Sequence, residues 1–138
     1  METFKIPMYL RAAYLSLHRQ TNAHLTRHGV TADQFVCLLL LAEEDGIIQR
    51  ELVKRASSDP NTIRAMLVLL ENKGFITRIR HPIDGRARIV SITDKGRQVF
   101  EDLINDLKPV RDRLTEQFSE DEAVTINKFL NLIFSSMQ

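Results

Sequence analysis

A single cysteine, Cys37, stands among the 138 residues, so an intrachain disulfide is excluded and a reducing compartment is indicated. Long hydrophobic runs are also missing: the longest, Phe35 to Ala42, falls far short of the roughly 20 residues that span a bilayer. The N-terminus lacks the basic-then-apolar pattern of a secretory signal, and no repeats or low-complexity tracts occur. Neither a nucleophile elbow, nor a phosphate loop, nor a clustered metal-ligand motif is present, so no catalysis, metal or other cofactor is expected. Together these absences predict a cytoplasmic protein of one-domain size, with no membrane partner and with 43% apolar residues to build its core.

Excess charge of one sign is absent too. The net charge of +1 would by itself argue against a nucleic-acid partner, but its distribution argues for one. Residues 49–97 hold eleven Lys and Arg against five Asp and Glu, which leaves the remainder of the chain acidic. Five arginines, Arg78, Arg80, Arg86, Arg88 and Arg97, crowd one short stretch, a basic lobe attached to an acidic one.

Punctuation residues divide the chain. Leu10, Tyr14, Leu17 and Leu25 form the stripe of an amphipathic helix from Pro7 to about Arg27, ended by His28-Gly29. Thr31-Ala32-Asp33-Gln34 is a capping box that opens a second helix running to about Glu44. Ile47-Ile48 predicts a short strand, and Gln49 to Ala56 a third helix. Asp59 as N-cap and Pro60 at the first helical position start a fourth, with Ile63, Met66, Leu67 and Leu70 inward and Gly74 at its end. Phe75 to Arg80 and Arg88 to Ile92 read as strands around the cationic turn His81-Pro82-Ile83-Asp84-Gly85-Arg86, where Gly85 is expected to permit the tight tip. Asp94 begins a helix in which Pro109 deletes one hydrogen bond, predicting a kink near Leu107 and continuation to Phe118. Ser119-Glu120-Asp121-Glu122 is a second capping box, starting a last helix to about Ser136 with Ile126, Phe129, Leu130, Ile133 and Phe134 apolar.

The predicted fold is mainly α with a small β-hairpin wing, a winged helix-turn-helix whose natural use is to read duplex DNA. The N-terminal turn of the fourth helix suits phosphates, with Ser57 and Ser58 as added donors. Asn61, Thr62 and Arg64 lie opposite the core set and carry groups able to read base edges, at roughly 1–3 kcal/mol of discrimination per bidentate contact. Arg86 at the wing tip suits a narrow minor groove, while Arg80 and Arg88 are expected near the wing base, meeting phosphates. An alternative is a winged-helix protein-interaction module that uses the apolar Ala65, Val68 and Leu69 face. His24 and His28 have a helical spacing able to hold a metal, but no third ligand stands near them in sequence. Cys37, amid Val36, Leu38 and Leu39, is expected to be a buried, inert thiol.

Leu70 to Arg78 and Asp84 to Gly96 resemble the MarR family of bacterial transcriptional regulators, the second run through its wing pattern of an Asp and an Arg two apart, a strand, and Thr, two variable residues and Gly. With helical flanks the resemblance extends over nearly the whole chain. It implies a winged DNA-binding lobe over residues 30–97 and a helical dimerisation lobe from residues 1–29 and 98–138. It further implies a homodimer on a pseudo-palindromic double-stranded operator, most often a repressor, with Asp84 buttressing Arg86. Many members release DNA when a small aromatic or phenolic ligand binds, and the corresponding positions are Arg11, Tyr14 and His18 with Phe35 opposite. Where members often carry a basic residue at 65 and polar ones at 68 and 69, this chain has Ala65, Val68 and Leu69.

Overall fold

The computed structural model describes residues 2–138. Six helices and three strands follow in the order α1 (Glu2–Arg27), α2 (Ala32–Glu43), β1 (Ile47–Ile48), α3 (Gln49–Arg55), α4 (Pro60–Asn72), β2 (Ile76–Arg80), β3 (Arg88–Ile92), α5 (Asp94–Thr115) and α6 (Glu120–Ser136). Two compact units divide at Asp106 and Leu107, within α5.

Local chemistry accounts for most element ends in the first unit. Gly29 takes φ +67°, and the amides of Val30 and Gly29 donate to the carbonyls of Leu25 and Thr26 at 3.2 and 3.0 Å. This is a Schellman stop, clamped by the buried pair Leu25 and Val30. Gly74 repeats it at φ +79°, with Phe75 and Gly74 donating to Leu70 and Glu71. Both capping boxes form, at Thr31–Gln34 and, in the second unit, at Ser119–Glu122. α1 begins at Glu2, five residues before the expected Pro7: proline disrupts a helix only through its missing donor and ring, and here one lost bond leaves the helix intact. α5 likewise passes through Pro109, ending at Thr115 rather than Phe118.

The sheet has the order β1-β3-β2, antiparallel throughout, with Ile47 opposite Val90, and Arg78 opposite Val90 from the other side. Its inner face sets Ile47, Ile76, Val90 and Ile92 on the α2, α3 and α4 core of Leu38, Leu41, Leu52, Ile63, Leu67 and Leu70. Met66 is only half-buried, its sulfur accepting from the Thr31 hydroxyl at 3.6 Å. In β2 Arg78 is on the core side and Ile79 is exposed, because an arginine stem can cover apolar surface while its head finds partners.

Two tight junctions hold the hairpin against α5. A Cβ at Gly96 would stand 2.1 Å from the Phe75 carbonyl oxygen, so only glycine fits there. Beside it, the Thr93 hydroxyl donates to the Gly74 carbonyl at 2.6 Å and accepts the Gly96 amide at 3.0 Å. Asp45, in the loop before β1, accepts from the Gly46 and Ile92 amides with one oxygen and from Arg97 with the other. In the second unit, α6 buries none of its residues, and Phe129, Leu130 and Phe134 are exposed.

Candidate nucleic-acid interface

Asp59 caps α4 as expected, but its carboxylate also takes the Thr62 hydroxyl, at 3.1 Å, besides the Thr62 amide at 2.9 Å. That hydroxyl is therefore already committed as a donor, which leaves Asn61 and Arg64 as the polar pair on the first open turn. They touch each other, Arg64 Nη1 donating to Asn61 Oδ1 at 3.2 Å, so the two side chains are presented as one unit. Ala65, Val68 and Leu69 continue this open face, with Val68 and Leu69 at 42% and 44% exposure, and neither is covered by a neighbouring element.

Ser57 and Ser58 are exposed in the turn between α3 and α4. Ser57 adopts φ +53°, the left-handed region that a non-glycine residue rarely enters, and its hydroxyl donates inward to the Arg55 carbonyl at 3.3 Å. The turn between the two helices thus carries a strained backbone at the edge of the open face.

The wing tip departs from expectation in its fastening. Gly85 does not take positive φ, and a Cβ there would meet only Arg80 Cδ and Nε at 3.8 and 4.0 Å, ordinary contact. Glycine is not what permits the turn. His81 Nδ1 accepts the Ile83 and Asp84 amides at 3.1 and 3.0 Å, which places the imidazole proton on Nε2. Asp84 does support Arg86, but through the backbone: its Oδ1 accepts the Arg86 amide at 3.1 Å, which leaves the exposed guanidinium free to project. Arg80 runs up against the tip glycine rather than staying at the base, and it faces Arg88 directly across the hairpin. Like charges opposite each other repel, an arrangement that an anion between them would relieve.

The arginines sort into two groups. Arg78 pairs with Glu71 at 3.0 Å and reaches Gln49 at 3.4 Å, and Arg97 pairs with Asp45 at 3.1 Å. These two serve the fold, which sequence alone could not tell from surface charge. The Arg78 guanidinium holds the Glu71 carboxyl below its ordinary value, with burial opposing and the charge of Arg88 adding slightly. Arg50, Arg64, Arg86 and Arg88, by contrast, line one cavity of about 190 Å³ together with Ile48, Gln49, Val53 and Ala87. Among the described residues none of these four arginines is in an ion pair and no carboxylate lines the cavity. α3, α4 and the wing therefore converge on a cleft whose only charges are positive, fit for the phosphates of a polyanion. Arg50 was missed by sequence reasoning because a lone arginine at a helix start carries no signal.

The fold is shared with known proteins. The MarR family model matches residues 30–87, the segment from α2 to the wing. Residues 30–87 thus form a MarR-family segment of the chain. It is similar to the HTH-type transcriptional regulator TtmR of Methylorubrum extorquens, 35% identical over 62% of this chain, although the match spans only 46% of TtmR. Similarity to SarZ of Staphylococcus haemolyticus, another HTH-type transcriptional regulator, is lower at 26% but covers 93% of this chain and 90% of SarZ. Among solved structures, a mutant form of Escherichia coli MarR complexed with operator DNA superposes with a TM-score of 0.82 at 26% identity, covering 96% of this chain and 95% of that one.

The positions expected in a MarR effector pocket lie on α1 and α2. Tyr14 and His18 stack with ring centroids 5.6 Å apart, while Phe35 stacks on Phe100 of α5 at 6.0 Å. Arg11 is exposed one turn before Tyr14. Further along α1, His24 and His28 both contact the Asp106 carboxylate of α5, at 3.1 and 3.0 Å, and Arg27 joins them at 3.1 Å. Asp106, distant in sequence, was not foreseen as their partner. Cys37 is fully buried, and burial pushes its thiol up to about 12, aided by Asp33, so it stays protonated and unreactive.

Proposed function

We propose that this chain is a homodimeric, sequence-specific regulator of transcription of the MarR family that binds a pseudo-palindromic operator and represses from it in the cytoplasm. The observation that carries the DNA-binding reading is the cleft of Arg50, Arg64, Arg86 and Arg88, unopposed by any lining carboxylate and bounded by the recognition helix α4 and the wing. In use, α4 enters the major groove, where Arg64 and Asn61 address base edges, while Ser57 and Ser58 stand beside the phosphates at its start. Arg80, Arg86 and Arg88 follow the backbone into the neighbouring minor groove. Two such lobes need half-sites about 10 bp apart.

Dimerisation draws support from α1, where Phe4, Ile6, Tyr9 and Tyr14 are exposed, and separately from the uncovered apolar residues of α6. So much exposed aromatic and aliphatic surface on helices of this length calls for a second copy. No helix among the described residues is long and apolar enough to cross a membrane. A small aromatic or phenolic ligand lodged by Arg11, the stacked Tyr14 and His18, and Phe35 would release DNA only through a differential affinity for the conformer that mismatches the operator.

Fluorescence anisotropy tests this reading. The purified protein is titrated against duplex from upstream of its own gene and against a scrambled duplex, at two salt concentrations. Tight preference for the upstream DNA, weakening with a log–log slope of about −0.9 per phosphate neutralised, is expected. The exposed Val68 and Leu69 favour a second reading, an apolar protein partner on α4, whose binding would scarcely respond to salt.

A further inference from the structure

The wing tip holds an apolar side chain out in water. Ile83 is 92% exposed, more than any other large hydrophobic residue described. Its backbone is well fastened: His81 Nδ1 holds the amides of Ile83 and Asp84, Asp84 Oδ1 holds that of Arg86, and the hairpin closes beneath through 3.0 Å bonds from His81 N to Ala87 O and from Ala87 N to Asp84 O. A β-branched side chain on such a turn has little freedom left to lose on burial. Cations stand three residues before and after it in sequence, Arg80 at the end of β2, with its side chain against Gly85 of the same turn, and the exposed Arg86. An apolar projection on a turn that also carries arginines matches the minor groove, where negative potential is concentrated and where apolar side chains can enter between base steps.

Resting on the DNA-binding reading above, we propose that Ile83 enters the minor groove as a wedge at a base step, with Arg80 and Arg86 engaging the groove and backbone on either side. An inserted apolar side chain partly unstacks the step and kinks the duplex toward the major groove. The deformation is easiest at pyrimidine–purine steps such as TA and hardest in stiff A-tracts. Ile83 therefore makes the wing a reader of deformability at a position where it forms no base hydrogen bond, and it offsets the few polar side chains on α4.

The test uses a duplex enriched by the full-length protein from a random pool, resynthesised with TA or AA at the steps facing the wing. Wild type, Ile83→Ala and Ile83→Leu are compared by anisotropy for affinity and by end-to-end energy transfer for bending. Wild type and Ile83→Leu are expected to favour the TA duplex about tenfold and to bend it. Ile83→Ala should lose the preference and the bend while keeping the salt slope, since no charge is removed. A preference and bend that persist in Ile83→Ala overturn the wedge but leave DNA binding standing. A wild-type protein that enriches no duplex overturns both.

Discussion

Arg78 of β2 and Glu71 of α4 meet at 3.0 Å across the seam between wing and recognition helix, and the same guanidinium reaches Gln49 at the start of α3. One side chain thus ties together the three elements that form the cationic cleft. Arg78→Ala should destabilise the protein by about 1–2 kcal/mol, discounted for the partial exposure of Glu71, with a lowered urea midpoint as the readout. Because Glu71 is held below its ordinary value, its contribution is present above the unfolded carboxylate range and fades as pH falls through the folded-state value. The difference between wild type and Glu71→Gln should accordingly be largest near neutrality and vanish in acid.

Gly96 and Gly85 belong to the same family-like run yet should respond oppositely to a methyl group. At Gly96 the added carbon falls 2.1 Å from the Phe75 carbonyl and 2.9 Å from Ile92 Cγ1, and backbone cannot step aside cheaply. Gly96→Ala is expected to cost about 3 kcal/mol or to prevent folding, whereas Gly85→Ala should change stability by less than about 0.5 kcal/mol. Thermal melts of the two variants decide it, and equal midpoints would contradict this account of the wing's attachment.

Features encoded within four residues of one another were legible in the sequence. The boxes at Thr31 and Ser119, the Asp59 cap with Pro60, and the stops at Gly29 and Gly74 each depend on a side chain or a φ angle meeting its own backbone neighbours. Arginine, by contrast, says nothing locally about its partner. Arg78 and Arg97 resemble Arg86 and Arg88 in sequence, and only the fold sets the first two against Glu71 and Asp45. The same limit hid Asp106 from His24 and His28, and Arg50 from the cleft. At the wing tip, proximity misled: a Gly in a turn suggested that glycine permits the tight tip, while His81 and Asp84 supplied the fastening.

Asp106 collects His24, Arg27 and His28 of α1 on one carboxylate of α5. The hydrogen bond from His24 is the largest cause holding its carboxyl below the ordinary value, with burial opposing and His28 and Arg27 adding. A depressed carboxylate stabilises the fold above its unfolded value, about 3.9, and ceases to do so once protonated in the folded state. Asp106→Asn should therefore be less stable than wild type at pH 7, and the two should converge as pH falls below about 4. Urea titrations across pH 3–7 measure the gap; one that stays constant with pH would show that packing, not charge, accounts for the junction of α1 and α5.

Within the cleft, position decides what each arginine does to DNA. Arg64 projects from the first open turns of α4 beside Asn61, which the proposed docking sets against base edges, so Arg64→Ala should relax sequence preference by roughly 1–3 kcal/mol at one base pair. Arg50 and Arg86 project from a helix start and a turn, which the proposed docking sets against the phosphate backbone. Removing either should weaken specific and scrambled duplexes by similar factors and reduce the salt slope by about 0.9 for each phosphate left without its arginine. The comparison needs only the three single variants, two duplexes and a salt series. Should Arg50→Ala shift selectivity as much as Arg64→Ala while leaving the slope unchanged, α3 rather than α4 would be the element that reads sequence, and the cleft would have to be turned accordingly on the duplex.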